Sequence, residues 1–528
     1  MHDVLIKGGT VIDGTGGPGR PADVVIEGER IQAVERLPDA QAARTIDATG
    51  LTVTPGFVDM HSHADFVLPG LPTADSKVHQ GFTLEVVGNC GASPAPLTDA
   101  SREEAIDAAG IVLPRLAWDW RSFASYLDRL RTQGTSVNVA PLVGHGAVRI
   151  LAMGMRAGVP TPPEQAAMEA AVRQAMDEGA IGFSTGLIYP PGVYALTDEI
   201  VALARAAGRA GGLYASHIRG EGATLLQAIA EAIEVGRRAD IRVEVSHLKA
   251  AGRPNWPKMA QAIELIEKAR AQGLDLSADM YPYPAGSTSL VSLLPDWAHA
   301  GGRAALLARL GDATERARLR VALDGPGLAS DAGWASIVIS ACPTHPAYEG
   351  RSLADVARAR RAAPAETLLD VLREARADAD MILFMMSEDN VALGLRQPWV
   401  TIGSDGEGRA ASGPYATGKP HPRNYGTVPR FLGYYVRQQR LLSLEEAVRR
   451  MTSLATTKLG IRDRGVVRAG AFADLVLFDA ARIEETSTFE APHRYPTGIP
   501  WVLVNGEPVI AEGRHTGSRP GQVVTGSR

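Results

Sequence analysis

LTVTPGFVDMHSHADF, residues 51–66, carries a short apolar run with a β-branched bias straight into two histidines, His61 and His63. Side chains two apart on a strand share a face, so these two imidazoles would project together from the strand end. Taken alone the pair fits an ordinary polar loop as well as a metal site. What lies at the ends of the other strands decides between the two.

The 528 residues suffice for one large catalytic domain and a smaller one. Hydrophobic residues are 45% and charged residues 21%, ordinary values for a globular chain. A net charge of −5 argues against a nucleic-acid partner. Cys90 and Cys342 are the only cysteines, which excludes a disulfide framework. The opening MHDVLIKGGTVIDG lacks the apolar core of a signal peptide, and no run reaches the roughly 18 apolar residues of a membrane span. The expectation is a cytoplasmic enzyme acting on a small molecule, with no membrane partner.

Outward from 51–66 the texture changes. Residues 1–53 alternate in short strands broken by Gly and Asp, and the same texture returns at 466–515, where VNGEPV carries an Asn-Gly hairpin signal. These two stretches are expected to build one small β-sandwich domain from both termini, with 516–528 as a loose tail. Residues 54–465 instead alternate strands with amphipathic helices such as PEQAAMEAAVRQAMDEG, LLQAIAEAIEVGRRA and MAQAIELIEKARAQG. Candidate strands are 52–58, 83–87, 137–142, 180–184, 212–215, 242–246, 275–279 and 399–404. Eight strands with helices between them predict an α/β fold, the (β/α)₈ TIM barrel. The stretch at about 286–380 is too long for one loop and reads as an insertion late in the barrel.

Cys90 (VVGNCGASP), His217 (YASHIRGEG), His247 (VEVSHLK) and Asp405 (TIGSDGEG) each follow one of those strands. With His61 and His63 they give six metal-ligand candidates on the strand ends that converge in a TIM barrel. A lone strand-end His is more often a satisfied polar residue, a lone Cys a small buried hydrophobe, and Asp before Gly a turn. Six on one rim point to a metal site. Imidazole, thiolate and carboxylate together suit Zn²⁺, and Asp405 could carry protons in metal-assisted hydrolysis. His145 in LVGHGAVR also follows a strand and stays in view.

PGFVDMHSHAD and AGAFADLVLFDA resemble the opening and closing motifs of the amidohydrolase superfamily. GNCGASPAPL, SHIRGEG, EVSHLK, DMYPYPAGSTSL, IGSDG and HPRNYGTVPRFLG resemble its N-acyl-D-amino-acid deacylase (D-aminoacylase) family. Many superfamily members bridge two metals with a carboxylated lysine after the fourth strand. No lysine stands between Lys77 and Lys249 here, while Cys90 stands where the deacylases carry a bridging cysteine. The resemblance implies a tight zinc on Cys90, His217 and His247. It implies a second, weaker site on His61 and His63 bridged by Cys90, with Asp405 as acid/base touching metal. It further implies a carboxylate clamp of Lys249, Arg423, Tyr189, Tyr281 and Ser287. Strand parity places Tyr283 on the same face as Tyr281, and Arg409 and Lys419, in the long stretch 406–419, rival Arg423.

The expected reaction is hydrolysis of N-acyl-D-amino acids to a carboxylate and a free D-amino acid, the D preference resting on the resemblance. TSLVSLLPDWA after Ser287 holds no arginine for an acidic side chain, which favours apolar substrates. A cyclic-amide hydrolase of the dihydroorotase or hydantoinase kind, a small-peptide hydrolase releasing a C-terminal D-residue, and a non-catalytic barrel are the rival readings.

Overall fold

The computed structural model describes residues 2–109, 116 and 118–525. Eight parallel strands form one sheet, here β1 to β8: Phe57–Asp59, Phe82–Val87, Asn138–Gly144, Gly182–Gly186, Leu213–His217, Arg242–Val245, Leu276–Met280 and Val400–Ile402. The ring is brought round by Met60 N donating to Ile402 O (3.2 Å) and Asp405 N to His61 O (2.7 Å). Helices including Pro162–Glu178, Thr197–Gly208, Leu225–Ala239 and Lys258–Ala271 alternate with the strands. The fold is a TIM barrel.

Strand alternation divides the apolar residues into two layers. Val58, Leu84, Val86, Ala140, Leu142, Ile181, Leu213 and Ala215 form one cluster, inside the barrel. Phe57, Phe82, Val139, Val143, Phe183, Val243 and Val245 pack in another, against the helices. Both faces are covered, which is why these strands read as nearly continuous apolar runs.

The segment expected as one strand, 52–58, is two. Thr52–Pro55 joins a nine-stranded sheet, pairing parallel to Thr10 and Val11 and antiparallel to Leu475–Phe478, and only Phe57–Asp59 enters the barrel. Gly56 is the corner: a Cβ there would come within 2.0 Å of Thr83 Oγ1, so no side chain fits. The nine strands come from residues 2–55 and 475–515, and they bury Ile6, Val24, Ile26, Ile31, Leu475, Leu477 and Leu503.

Between β7 and β8 lies a three-stranded antiparallel sheet of Ala285–Ser289, Ile337–Ala341 and Asp380–Phe384, with helices such as Gly302–Gly311 and Pro364–Glu374. It has its own core, including Leu290, Leu310, Ile339, Leu368 and Met381. The stretch expected as a loose tail is docked through residue 525. Gly521 N donates to Thr135 O (2.7 Å), Val139 N to Gln522 O (2.9 Å) and Val524 N to Val139 O (2.8 Å), so it satisfies backbone groups at the start of β3. Residues 526–528 lie outside the described residues. Among the described residues no helix is long and apolar enough to cross a membrane.

Candidate active site

The loops after the strands carry the polar residues to one end of the barrel. Cys90, His247 and Asp405, all just past strand ends, hold left-handed backbone with φ of 53°, 36° and 50°. Non-glycine residues rarely adopt this region, at a cost of about 1–3 kcal/mol each, and they do so where the surroundings over-determine them. Here the turn swings each side chain over the barrel mouth.

Cys90 Sγ is the hub, 3.3 Å from His61 Nε2, 3.5 Å from His247 Nε2 and 3.6 Å from His217 Nδ1. Asp405 Oδ1 lies 3.5 Å from His61 Nε2 and 3.1 Å from His63 Nε2. Burial pushes the Cys90 thiol up, but His61, His217 and His247 around it hold it well below the usual thiol range. Burial likewise raises Asp405, and Arg423 and His63 outweigh it, leaving an ionised carboxylate. His63, half-buried, is pulled down by burial and carried up to about 9 by its bonds to Asp405 and Cys90.

These atoms fit a metal. One atom each from His61, Cys90, His247 and Asp405 lie within 4.8 Å of one another, as do atoms of His217, Glu221 and His247. Tetrahedral ligation at zinc distances spaces ligand atoms about 3.3–3.8 Å apart, and the Cys90–histidine distances fall in that range. The donor set of thiolate, imidazole and carboxylate is the one zinc prefers.

His61 and His63 arrive by a different route from the one strand parity suggested. β1 ends at Asp59, and the following residues interlock with those after β8: His61 O accepts from Asp405 N, and His63 N donates to Gly406 O (3.0 Å). Beneath them Lys77, fully buried, donates to Asp59 Oδ2 (2.7 Å), Ser404 Oγ (2.8 Å) and Gly406 O (2.9 Å) and lies 3.1 Å from Glu85. This lysine ties the first strand end to the last.

A cavity of about 1120 Å³ opens on the cluster. His63, Cys90, Tyr189, His217, His247, Lys249, Tyr281, Ser287, Asp405 and Arg423 all line it. The Tyr281 ring lies near two cations, 4.8 Å from the Arg423 guanidinium and 5.7 Å from Lys249 Nζ. Arg423 is buried; its Nη2 donates to Ser287 O (3.2 Å) and its Nη1 forms an ion pair with Asp405 Oδ2 (2.8 Å), while Nε has no hydrogen-bond acceptor. Tyr189 OH meets Thr288 Oγ1 at 3.1 Å, whereas the Ser287 hydroxyl donates to Met381 O (3.0 Å).

The rivals separate cleanly. Tyr283 turns away and donates to Glu485 Oε1 (2.5 Å); β7 ends at Met280, so the pleat that would have aligned it with Tyr281 is gone. Arg409 lines the cavity but is held by Glu407 (2.6 Å). Lys419 packs beside Gly350, away from the cavity. His145 bonds Glu199 at 2.8 Å beside Arg149 and does not face the centre.

Besides Lys77, three side chains escaped the sequence reading. Glu221 Oε1 lies 2.5 Å from Lys249 Nζ and 3.0 Å from His247 Nδ1. Asp279 lies 3.4 Å from His61 Nδ1 and accepts from His247 N (2.9 Å). Thr288 meets Tyr189. The signal for Glu221 was in view: an acidic residue four positions after a strand-end histidine.

The amidohydrolase family model matches residues 44–510. The D-aminoacylase of Alcaligenes xylosoxydans xylosoxydans is 39% identical over 99% of this chain and 97% of its own. The N-acyl-D-glutamate deacylase of the same organism is also 39% identical, over 99% and 96%. A solved N-acyl-D-glutamate deacylase from Bordetella bronchiseptica, complexed with zinc and a phosphonate that mimics the tetrahedral intermediate, matches with a TM-score of 0.82 at 35% identity, covering 99% of both chains. With this fold, this cluster and these matches along its length, the chain belongs to the amidohydrolase family, in its D-aminoacylase branch.

Proposed function

We propose that the protein is a zinc-dependent N-acyl-D-amino-acid deacylase, cleaving the amide to a carboxylate and a free D-amino acid. The observation that carries this reading is Arg423, a buried guanidinium whose Nε has no acceptor and whose Nη1 is met only by the Asp405 carboxylate, in the same cavity as the thiolate–histidine cluster. A buried donor left unpaired is costly, and a carboxylate fits the guanidinium fork. The handedness rests on the relatives.

Cys90, His217 and His247 would hold the tighter zinc, with His61, His63 and Asp405 offering a second, weaker position. Zinc, when bound, supplies Lewis acidity toward the acyl carbonyl and the attacking water. Arg423, Lys249, Tyr281 and Tyr189 would orient the α-carboxylate so that the amide carbon faces the cluster, and Ser287 would join them on releasing Met381 O. Asp405 takes a proton from the water as the carbon–oxygen bond forms. It returns that proton to the amide nitrogen as the carbon–nitrogen bond breaks, so the leaving group departs as a neutral amine.

The cavity favours apolar substrate side chains. Of its cationic residues, Arg409 is held by Glu407, Arg303 by Asp107 (3.0 Å), and Lys249 and Arg423 serve the α-carboxylate. Burial keeps His299 and His421 neutral, lowering His299 to about 4. Ile188, Val291, Leu294 and Met385 line the remainder. The two buried, unpaired cysteines suit a reducing compartment, and the proposed location is the cytoplasm.

The test is amine release from N-acetyl-D-methionine and its L enantiomer by zinc-loaded protein, with N-acetyl-D-glutamate and dihydroorotate alongside. D-selective release, greater from methionine than glutamate, is expected. Activity on dihydroorotate without release from either linear enantiomer would replace this reading with a cyclic-amide hydrolase.

A further inference from the structure

Glu221 stands behind the cluster, on the loop after β5, and one of its oxygens serves two neighbours and lies near a third. Oε1 lies 2.5 Å from Lys249 Nζ, 3.0 Å from His247 Nδ1 and 3.8 Å from His217 Nε2. Lys249 Nζ is itself only 2.6 Å from His247 Nδ1, and the opposite nitrogen of that ring, Nε2, faces Cys90 Sγ at 3.5 Å.

A neutral imidazole carries one N–H, and the bond made by one ring nitrogen decides which. To hold a metal beside Cys90, His247 must offer the Nε2 lone pair, so its proton must sit on Nδ1. Lys249 opposes this. An ammonium has only donors, and at that distance it claims a lone pair on Nδ1 and drives the ring proton to Nε2, the nitrogen that should bind metal. A carboxylate oxygen can accept from both groups at once. We infer that Glu221 is a positioning residue that holds His247 in its metal-binding tautomer against Lys249, and keeps the Lys249 ammonium in place for an incoming carboxylate.

This rests on the zinc reading above, but its test does not need turnover. Zinc affinity is measured by competition with a chromophoric chelator for the parent, Glu221→Ala, Lys249→Met and the double variant, each checked for folding by its Tm. Loss of an orienting partner costs metal affinity about 10–100-fold, and that loss is expected for Glu221→Ala. Lys249→Met is expected to bind as the parent does. The double variant is expected to recover most of the loss, because the competing donor is gone; a purely structural role for Glu221 would predict no such recovery. Glu221→Leu, alone and with Lys249→Met, repeats the comparison at closer to the original volume if the alanine variant fails to fold. Parental affinity in the Glu221 variants, or a loss that Lys249→Met leaves untouched, overturns the inference. Should N-acyl-D-amino acids go uncleaved while this zinc pattern holds, only the proposed substrate falls.

Discussion

Arg423 Nη1 and Asp405 Oδ2 lie 2.8 Å apart, so the group proposed to grip the substrate's carboxylate and the group proposed to move its proton form one ion pair. The pair keeps Asp405 ionised despite its burial, in the form a general base requires. It also joins carboxylate recognition to proton transfer within one contact.

Replacing Asp405 by Asn keeps the shape and removes the base. The expected outcome is a fall in kcat of about 10²–10⁴-fold with zinc still bound, because Cys90, His217 and His247 are intact. Steady-state rates and metal content by elemental analysis check it. Near-parental kcat would remove Asp405 from the mechanism.

Arg423→Lys retains the charge and loses the fork. Hydrogen bonds to charged groups contribute about 1.5–3 kcal/mol, so KM should rise roughly 10–100-fold while zinc content stays put. An unchanged KM with N-acetyl-D-methionine would place the carboxylate elsewhere in the cavity.

Lys77→Met leaves Asp59 and Glu85 facing each other in the interior with no cation between them. Removing one partner of a buried ion pair costs about 3–5 kcal/mol, which should appear as a clear drop in Tm. The same variant with Glu85→Gln should recover part of that drop. A Tm equal to the parent's would show that the lysine is dispensable.

Glu485 gives a pH dependence away from the metal cluster. Burial raises its carboxyl to about 7, against opposing bonds from Tyr283 and Arg430. In the unfolded chain it ionises near the usual pH of about 4.3. Between those values the folded state binds the extra proton, so stability should decline as pH rises through that window, by at most about 1.4 kcal/mol per pH unit. Partial solvent exposure reduces the effect. Tm measured from pH 4.5 to 7.5 should fall more steeply for the parent than for Glu485→Gln. Parallel curves would count against a raised carboxyl.

The barrel was legible because its strands are buried on both faces and its helices on one, two patterns that local sequence records well. The residues gathered at the centre were legible for the same reason, since each of Cys90, His217, His247 and Asp405 stands just beyond an apolar run. Tyr281 and Tyr283 were not separable, because parity has meaning only inside a strand and theirs ends at Met280. Asp279 and Lys77 act across distances of 18 to 327 residues in the chain. No local period encodes such contacts. The docked stretch 516–525 escaped because its Gly, Ser and Pro composition resembles linker, while the hydrogen bonds that dock it are made with distant segments such as Thr135 and Val139.

The corner at Gly56 bears on how such a protein can be recombined. Thr52–Pro55 and Phe57–Asp59 are one length of chain that serves two sheets, and His61 follows three residues further along from Val58. A chimaera that exchanged the small sheet at residue 53 would cut through a paired strand and leave half of it in foreign register. A workable crossover must carry the first barrel strand and its histidines with the small sheet, so inheritance of that sheet and inheritance of part of the reaction centre travel as one module.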